Sequence, residues 1–242
     1  MSLASAPRSS PLRLLAAWGV HVFTASGAVV ALAALLSIGA GDLRRAALLM
    51  LVALAIDAVD GSLARAARVA EVVPRVDGRR LDDIVDYLNY VVVPVVFMLA
   101  IGALPHWALA AAPILASAYG FSQSDAKTED HFFLGFPSYW NVVALYLWTL
   151  GIAPALGTAI VLGFSALVFV PIKYVYPSRM RVLRRTTNGA ALLWLLVLAG
   201  AIAAPEELGR LPLVELSLLY PAYYLGISFW LGGFRRDRGQ EG

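Results

Sequence analysis

Cysteine is absent from the 242 residues, which excludes a disulfide framework and any thiolate metal site. Charge is scarce as well. Asp, Glu, Lys and Arg make up 14% of the chain, against roughly 25% in soluble domains. Hydrophobic residues make up 60%, and the mean hydropathy is +0.74. A chain this short cannot hide so much apolar surface from water, so the composition implies an integral membrane protein. Negative charge is not in excess: the formal net charge is +3. In a membrane protein such basic residues gather beside anionic lipid, so the charge implies no nucleic-acid partner. The first residues, Met1 to Pro11, lack a cleavage-site pattern, and the apolar run that follows reads as a permanent span. No soluble domain, tandem repeat or low-complexity linker fits between the apolar runs, so residues 1–242 read as one transmembrane domain.

What the chain does have is apolar runs near the ~20 residues needed to cross a bilayer. Eight are expected, near 15–39, 44–66, 81–103, 106–124, 138–152, 154–175, 188–204 and 212–232, with the fifth the shortest. The expected architecture is therefore an all-α polytopic helix bundle. Gly39-Ala40-Gly41, Leu104-Pro105, Gly151-Ile152-Ala153-Pro154 and Ala204-Pro205 punctuate it. An even number of spans puts both termini on one side, and that side then collects 16 of the 19 Lys and Arg residues. Arg44, Arg45 and Arg210 fall on the other. The positive-inside rule then predicts that both termini, and the acidic residues described next, face the cytoplasm.

Those acids are the most informative feature. Asp57, Asp60, Asp82, Asp83 and Asp86 stand at the edges of two apolar runs, where an ionised carboxylate costs several kcal/mol by order of magnitude. Asp57 and Asp60 are three apart near the end of the second span. Asp82 and Asp86 are four apart at the start of the third. Each pair shares a helix face. Gly61 and Ala64 fall on the face of Asp57 and leave room for a bulky group near the backbone. Two antiparallel helices joined by a loop can gather the four carboxylates, and hard oxygen ligands select Mg²⁺, Mn²⁺ or Ca²⁺. Asp83 lies on a different face from Asp82 and stays outside that set. The bland alternative is a group of helix-end carboxylates paired with Arg65, Arg68, Arg79 and Arg80, with Asp82 and Asp83 favoured by the helix dipole. It leaves Asp57, about two turns inside its span, unexplained. An ion pathway or transporter would spread acids through the depth of the membrane, often in paired repeats, and the sequence shows neither.

The residues Asp57-x-x-Asp60-Gly61-x-x-Ala64-Arg65 … Gly78-x-x-x-Asp82-x-x-x-Asp86 resemble the signature of the CDP-alcohol phosphatidyltransferase family. The family commonly has about eight or nine residues between its Arg and second Gly, whereas here 66–77 intervene, an insertion that a turn tolerates. His21-Val22-Phe23-Thr24-Ala25-Ser26-Gly27, Leu81 to Tyr87, Lys127 to Pro137, Trp140-Asn141, Pro171-Ile172-Lys173 and Pro177-Ser178-Arg179 are similar to the bacterial branch that uses free choline. The resemblance spans roughly residues 18 to 190. It implies a six-helix core within the eight spans, and location in the bacterial inner membrane. It implies transfer of the phosphatidyl group from CDP-diacylglycerol to choline, giving phosphatidylcholine and CMP. It also implies dependence on Mn²⁺ or Mg²⁺, with two divalent ions clamping the diphosphate, and a homodimer. The nearest alternatives within the family take serine, glycerol 3-phosphate or an inositol acceptor.

Carried over residue by residue, the resemblance makes Asp57, Asp60 and Asp82 metal ligands. It gives Asp86 a contact to a second metal and makes it the general base for the choline hydroxyl. Gly61, Ala64, Arg65 and Gly78 form the CDP pocket, with Thr24 and Ser26 either bonding nucleotide or bridging helices. His21 reads as a satisfied interhelical residue. A quaternary ammonium is best held by aromatic faces helped by a carboxylate, which makes Tyr87, Tyr90, Glu129 and Asp130 the candidate choline contacts. The run Lys173 to Arg185 reads as a basic anchor.

Overall fold

A computed structural model describes residues 10–124, 126, 128, 130, 132–177, 179–180, 182–208 and 210–232. Helix α1 (Pro11–Gly39) starts where Ser10 accepts a hydrogen bond from the Arg13 amide, with Pro11 preset for the first turn. Two residues past its end, Gly41 turns the chain back with a φ of +76°. Asp42 then caps α2 (Leu43–Ala66) through the Arg45 amide at 3.0 Å. Helix α1 buries Ala17, His21, Thr24, Gly27, Ala31 and Ala34, spaced three or four apart. This stripe of mostly small residues lets neighbouring backbones approach closely, as helices in lipid require.

The segment 66–77 is not an empty turn. A short helix α3 (Val69–Val72) folds back there, and Val69 and Val73 bury themselves against Ala17 of α1. Asp77 caps α4 (Gly78–Asp86) by accepting from the amides of Arg79 and Arg80. The helix widens into a π turn at Tyr87–Val92 and continues as α5 (Val93–Ala100). The cause is local: Pro94 has no amide to give Tyr90, and its ring crowds that carbonyl, so the ladder re-registers. A 3₁₀ turn at Trp107–Ala110 leads into α6 (Ala111–Ser122). Then come α7 (Trp140–Thr149), α8 (Pro154–Leu167), α9 (Arg184–Ala203), α10 (Pro205–Leu208), α11 (Leu213–Ser217) and α12 (Leu219–Leu231). The break between α11 and α12 has the same origin: Pro221 cannot bond the Ser217 carbonyl.

The protein is an all-α membrane bundle, and each of the eight expected apolar runs carries a helix. Among the described residues, four stretches are long and apolar enough to cross a bilayer: Pro11–Gly39, Leu43–Ala66, Gly78–Ala100 and Arg184–Ala203. The remaining runs are shorter than the sequence suggests. The fifth is a ten-residue helix whose Trp140, Ala144, Leu145 and Leu147 lie in the main core. The sixth stops at Leu167, because Pro171 ends helical bonding and the apolar residues beyond it serve another structure. Strand β2 (Lys173–Val175) pairs antiparallel with β1 (Phe132–Leu134), with Phe133 opposite Tyr174. Ile172, Tyr174 and Val175 pack with Tyr224 and Ile227 of α12 as a second core. Gly135 makes the corner, with φ +80° and a Cβ position that would fall on the Val168 carbonyl oxygen. These two strands are a departure from the all-helical expectation.

Candidate metal centre and its surroundings

Asp57 stands past the middle of α2, and Asp82 and Asp86 stand at the middle and the end of α4. One carboxylate oxygen each from Asp57, Asp82 and Asp86 lies within 4.8 Å of the others. All three side chains are half-buried. Three negative oxygens at that separation repel strongly in a low-dielectric setting, and a divalent cation relieves the repulsion. The donor set fits a hard ion. Three carboxylate oxygens without nitrogen or sulfur suit Mg²⁺, Mn²⁺ or Ca²⁺.

Asp60 is the member the trio leaves out. It lines the same cavity as Asp57 and Asp86, is 5% exposed, and faces Thr24 with the Arg65 charge nearby. Its oxygens extend the acidic wall toward α1. Asp83 stays outside the trio, as its helix face requires. The cavity between these residues holds about 10 Å³ and is closed off by Gly27, Ala53, Ile56, Val85, Asn89 and Tyr90. That is room for about one water-sized body.

Two neighbours hold this geometry: Tyr90, expected only as a choline contact, and Asn89, which no motif marks. The Tyr90 hydroxyl donates to Asp57 Oδ2 at 2.5 Å. The Tyr90 ring is 7% exposed and packs against Tyr139, which packs in turn against Tyr224. Asn89 donates through its Nδ2 to the carbonyls of Gly27 at 3.0 Å and Val85 at 3.1 Å, tying α1 to α4. A Cβ on Gly27 would stand 2.6 Å from Val85 Cγ1, so only glycine allows the contact. The signal for both was Pro94, since the wide turn it causes carries Asn89 and Tyr90 to the cavity wall.

The expected nucleotide residues divide. Gly61 stands beside the exposed Arg65, whose Nη2 donates to Ser62 Oγ at 2.9 Å. Thr24 is buried next to Asp60, whereas Ser26 gives its hydroxyl to the Phe23 carbonyl of its own helix at 2.6 Å. Ala64 packs against the α3 cluster of Ala17, Val69 and Val73. Gly78 opens α4 under the His21 ring, whose Cε1 is 3.4 Å from where a Cβ would sit. His21 is not the satisfied residue the sequence suggested: its buried Nε2 has no hydrogen-bond partner among the described residues. Trp18 on one side and Gly78 on the other present it with no acceptor.

The candidate choline contacts also separate. Tyr90 is at the acidic wall. Tyr87 points the other way, donating to the Ile114 carbonyl at 3.1 Å with its ring on Phe121. Asp130 pairs with Lys173 Nζ at 3.0 Å, clamping the β ribbon. Glu129, with Lys127 and Ser178, lies outside the described residues. Desolvation pulls the Asp130 carboxyl up, but the Thr128 hydroxyl and the Lys173 ammonium outweigh it and hold it below its ordinary value. Lys173 is thus part of a ribbon clamp rather than a free basic anchor.

No protein-family model matches the chain. It is similar over most of its length to proteins named phosphatidylcholine synthase from several bacteria. The protein of Legionella pneumophila subsp. pneumophila is 43% identical over 225 residues, which cover 89% of this chain and 88% of the relative. That of Pseudomonas aeruginosa is 35% identical over 225 residues, 91% of this chain and 94% of the relative. That of Borreliella burgdorferi is 35% identical over 232 residues, 94% of this chain and 99% of the relative.

Proposed function

Because the chain belongs to the phosphatidylcholine synthase family and is an enzyme, we propose that it transfers the phosphatidyl group of CDP-diacylglycerol to free choline, releasing CMP. The observation that carries this reading is the convergence of Asp57, Asp82 and Asp86 from two helices onto one point. Asp57 and Asp82 hold the ion, Mn²⁺ or Mg²⁺, and Asp60 extends the oxygen surface on the same cavity. When bound, divalent cations neutralise the diphosphate and stabilise the leaving CMP.

The chain's own residues do the rest. Asp86 takes the proton from the choline hydroxyl. The choline oxygen forms its bond to the phosphorus bearing diacylglycerol as the bond from that phosphorus to the CMP oxygen breaks. Arg65, exposed beside Gly61, meets phosphate with its guanidinium. Gly61 and Gly78 leave space for the nucleotide, and Thr24 acts through Asp60. Of the candidate choline contacts, Tyr90 is the one the geometry favours, since its hydroxyl bonds Asp57 and its ring edges the acidic cavity. The basic residues flanking this end of the bundle support a cytoplasmic active site in the bacterial inner membrane. The protein works within one domain and as a homodimer.

The test is CMP release by purified protein given CDP-diacylglycerol, with and without choline and Mn²⁺. Release that needs both supports the reading. Release with serine, glycerol 3-phosphate or inositol but not choline overturns the acceptor. Full release with choline after removal of divalent ions overturns the role of the aspartates.

A further inference from the structure

The end of the bundle opposite the aspartates holds a second hollow. It has a volume of about 570 Å³ and lies where the start of α2, the end of α7, the end of α9 and the α10–α11 connection meet. Arg44 on its wall is thirteen residues before Asp57 on the same helix, or about 20 Å along it at 1.5 Å per residue. The hollow is therefore at the other membrane edge from the metal centre. Its size falls within the roughly 300–1,000 Å³ of small-molecule sites.

Its lining has an unusual charge pattern. Arg44, Arg210 and Glu215 all face it, and the rest is largely apolar, including Trp148, Ile202 and Leu208. Among the described residues none of the three charged groups is in an ion pair. Two cations and an anion thus line one cavity without neutralising one another. Arginine is scarce at this edge, where Arg44, Arg45 and Arg210 are the basic residues expected, and two of these three line the hollow.

We propose that this hollow is a binding site for one phospholipid with a zwitterionic headgroup, in the leaflet opposite the reaction. The guanidinium forks of Arg44 and Arg210 match the phosphodiester oxygens. Glu215 and the Trp148 face match the ammonium end of the headgroup. The apolar wall takes the first methylenes of an acyl chain. A purely anionic headgroup without a cation leaves Glu215 unmatched, which makes the site selective for charge separation rather than for negative charge. The site does not depend on the reaction proposed above, because none of its residues belongs to the metal centre.

The experiment counts bound lipids by native mass spectrometry. Full-length protein is delipidated in detergent and exposed to equal amounts of phosphatidylcholine, phosphatidylethanolamine and phosphatidylglycerol. Wild type should retain a zwitterionic lipid that the Arg44→Gln/Arg210→Gln variant loses by roughly tenfold in affinity or more, with CMP release unchanged. Glu215→Gln should retain phosphatidylglycerol as readily as phosphatidylcholine. Equal retention by wild type and the double variant, or equal retention of phosphatidylglycerol and phosphatidylcholine by wild type, overturns the proposal. If the double variant fails to fold, phosphatidylcholine with a photoreactive headgroup is crosslinked to wild type. Adducts on residues 201–215 support the site, and adducts confined to the aspartate end overturn it.

Discussion

Tyr90→Phe isolates one hydrogen bond of the metal centre. The substitution removes only the hydroxyl that donates to Asp57 Oδ2 at 2.5 Å. The ring, its burial and its packing on Tyr139 stay as they are, so no cavity opens. A hydrogen bond to a charged group contributes about 1.5–3 kcal/mol, and because Tyr90 is buried, water does not readily replace it. The metal-free protein should lose stability of that order. The larger consequence is for the ion. Groups that orient a metal ligand typically change affinity by about 10–100-fold when removed, because the ligand then spends time in unproductive rotamers. Turnover should therefore need about 10–100-fold more Mn²⁺ to reach half its maximum, with the rate at saturating Mn²⁺ close to normal. The assay is CMP release titrated with Mn²⁺ at fixed choline, repeated with choline varied at saturating Mn²⁺. An unchanged Mn²⁺ requirement refutes the orienting role. A raised KM for choline with an unchanged Mn²⁺ requirement assigns Tyr90 to choline alone.

Asp86→Asn should keep CDP-diacylglycerol binding while turnover falls by about 10²–10⁴-fold, the contribution of a positioned general base; near-normal turnover would reject Asp86 as the base. Gly27→Ala should lower stability by about 1–3 kcal/mol through overpacking, because its methyl would meet Val85 Cγ1 at 2.6 Å, and thermal unfolding in detergent measures this. Gly61→Ala meets only the mobile end of Arg65 at 3.3 Å, so its unfolding temperature should hold while nucleotide binding weakens; loss of both would make Gly61 structural. The Lys173–Asp130 pair has a definite pH window. The Asp130 carboxyl titrates below its ordinary value of 3.8 when folded, so its stabilising effect is complete above that value and is lost as pH falls through the lower folded one. The difference in unfolding temperature between wild type and Lys173→Met should stay constant from neutral pH down to about 5 and shrink only below about 4. A difference that changes between pH 6 and 8 would contradict this.

Much of the molecule was legible in the chain because the relevant patterns are local. Apolar runs require membrane helices, and each run has one. Ser10, Asp42 and Asp77 mark helix starts by accepting from the amides that follow. The i, i+4 spacing of Asp82 and Asp86 puts them on one face whatever surrounds them, and both do join Asp57. Run length was a poorer guide. Ile172, Tyr174 and Val175 read as the end of a span, yet they pack in the second core with α12, because hydrophobicity records a need for burial and not the place of it.

The sequence by itself therefore determined the solvent, the helices and the face on which each acid stands, since these follow from composition and from a 3.6-residue period. The tertiary structure decided which faces meet. It set Asp60 against Thr24 on the wall of the same cavity, directed Tyr87 to α6 and Tyr90 to Asp57, and paired strands some 40 residues apart in the chain. Those outcomes depend on close approaches such as Gly27 against Val85 and on the re-registered turn before Pro94. Their energies are set by atoms distant in sequence, which no local pattern encodes.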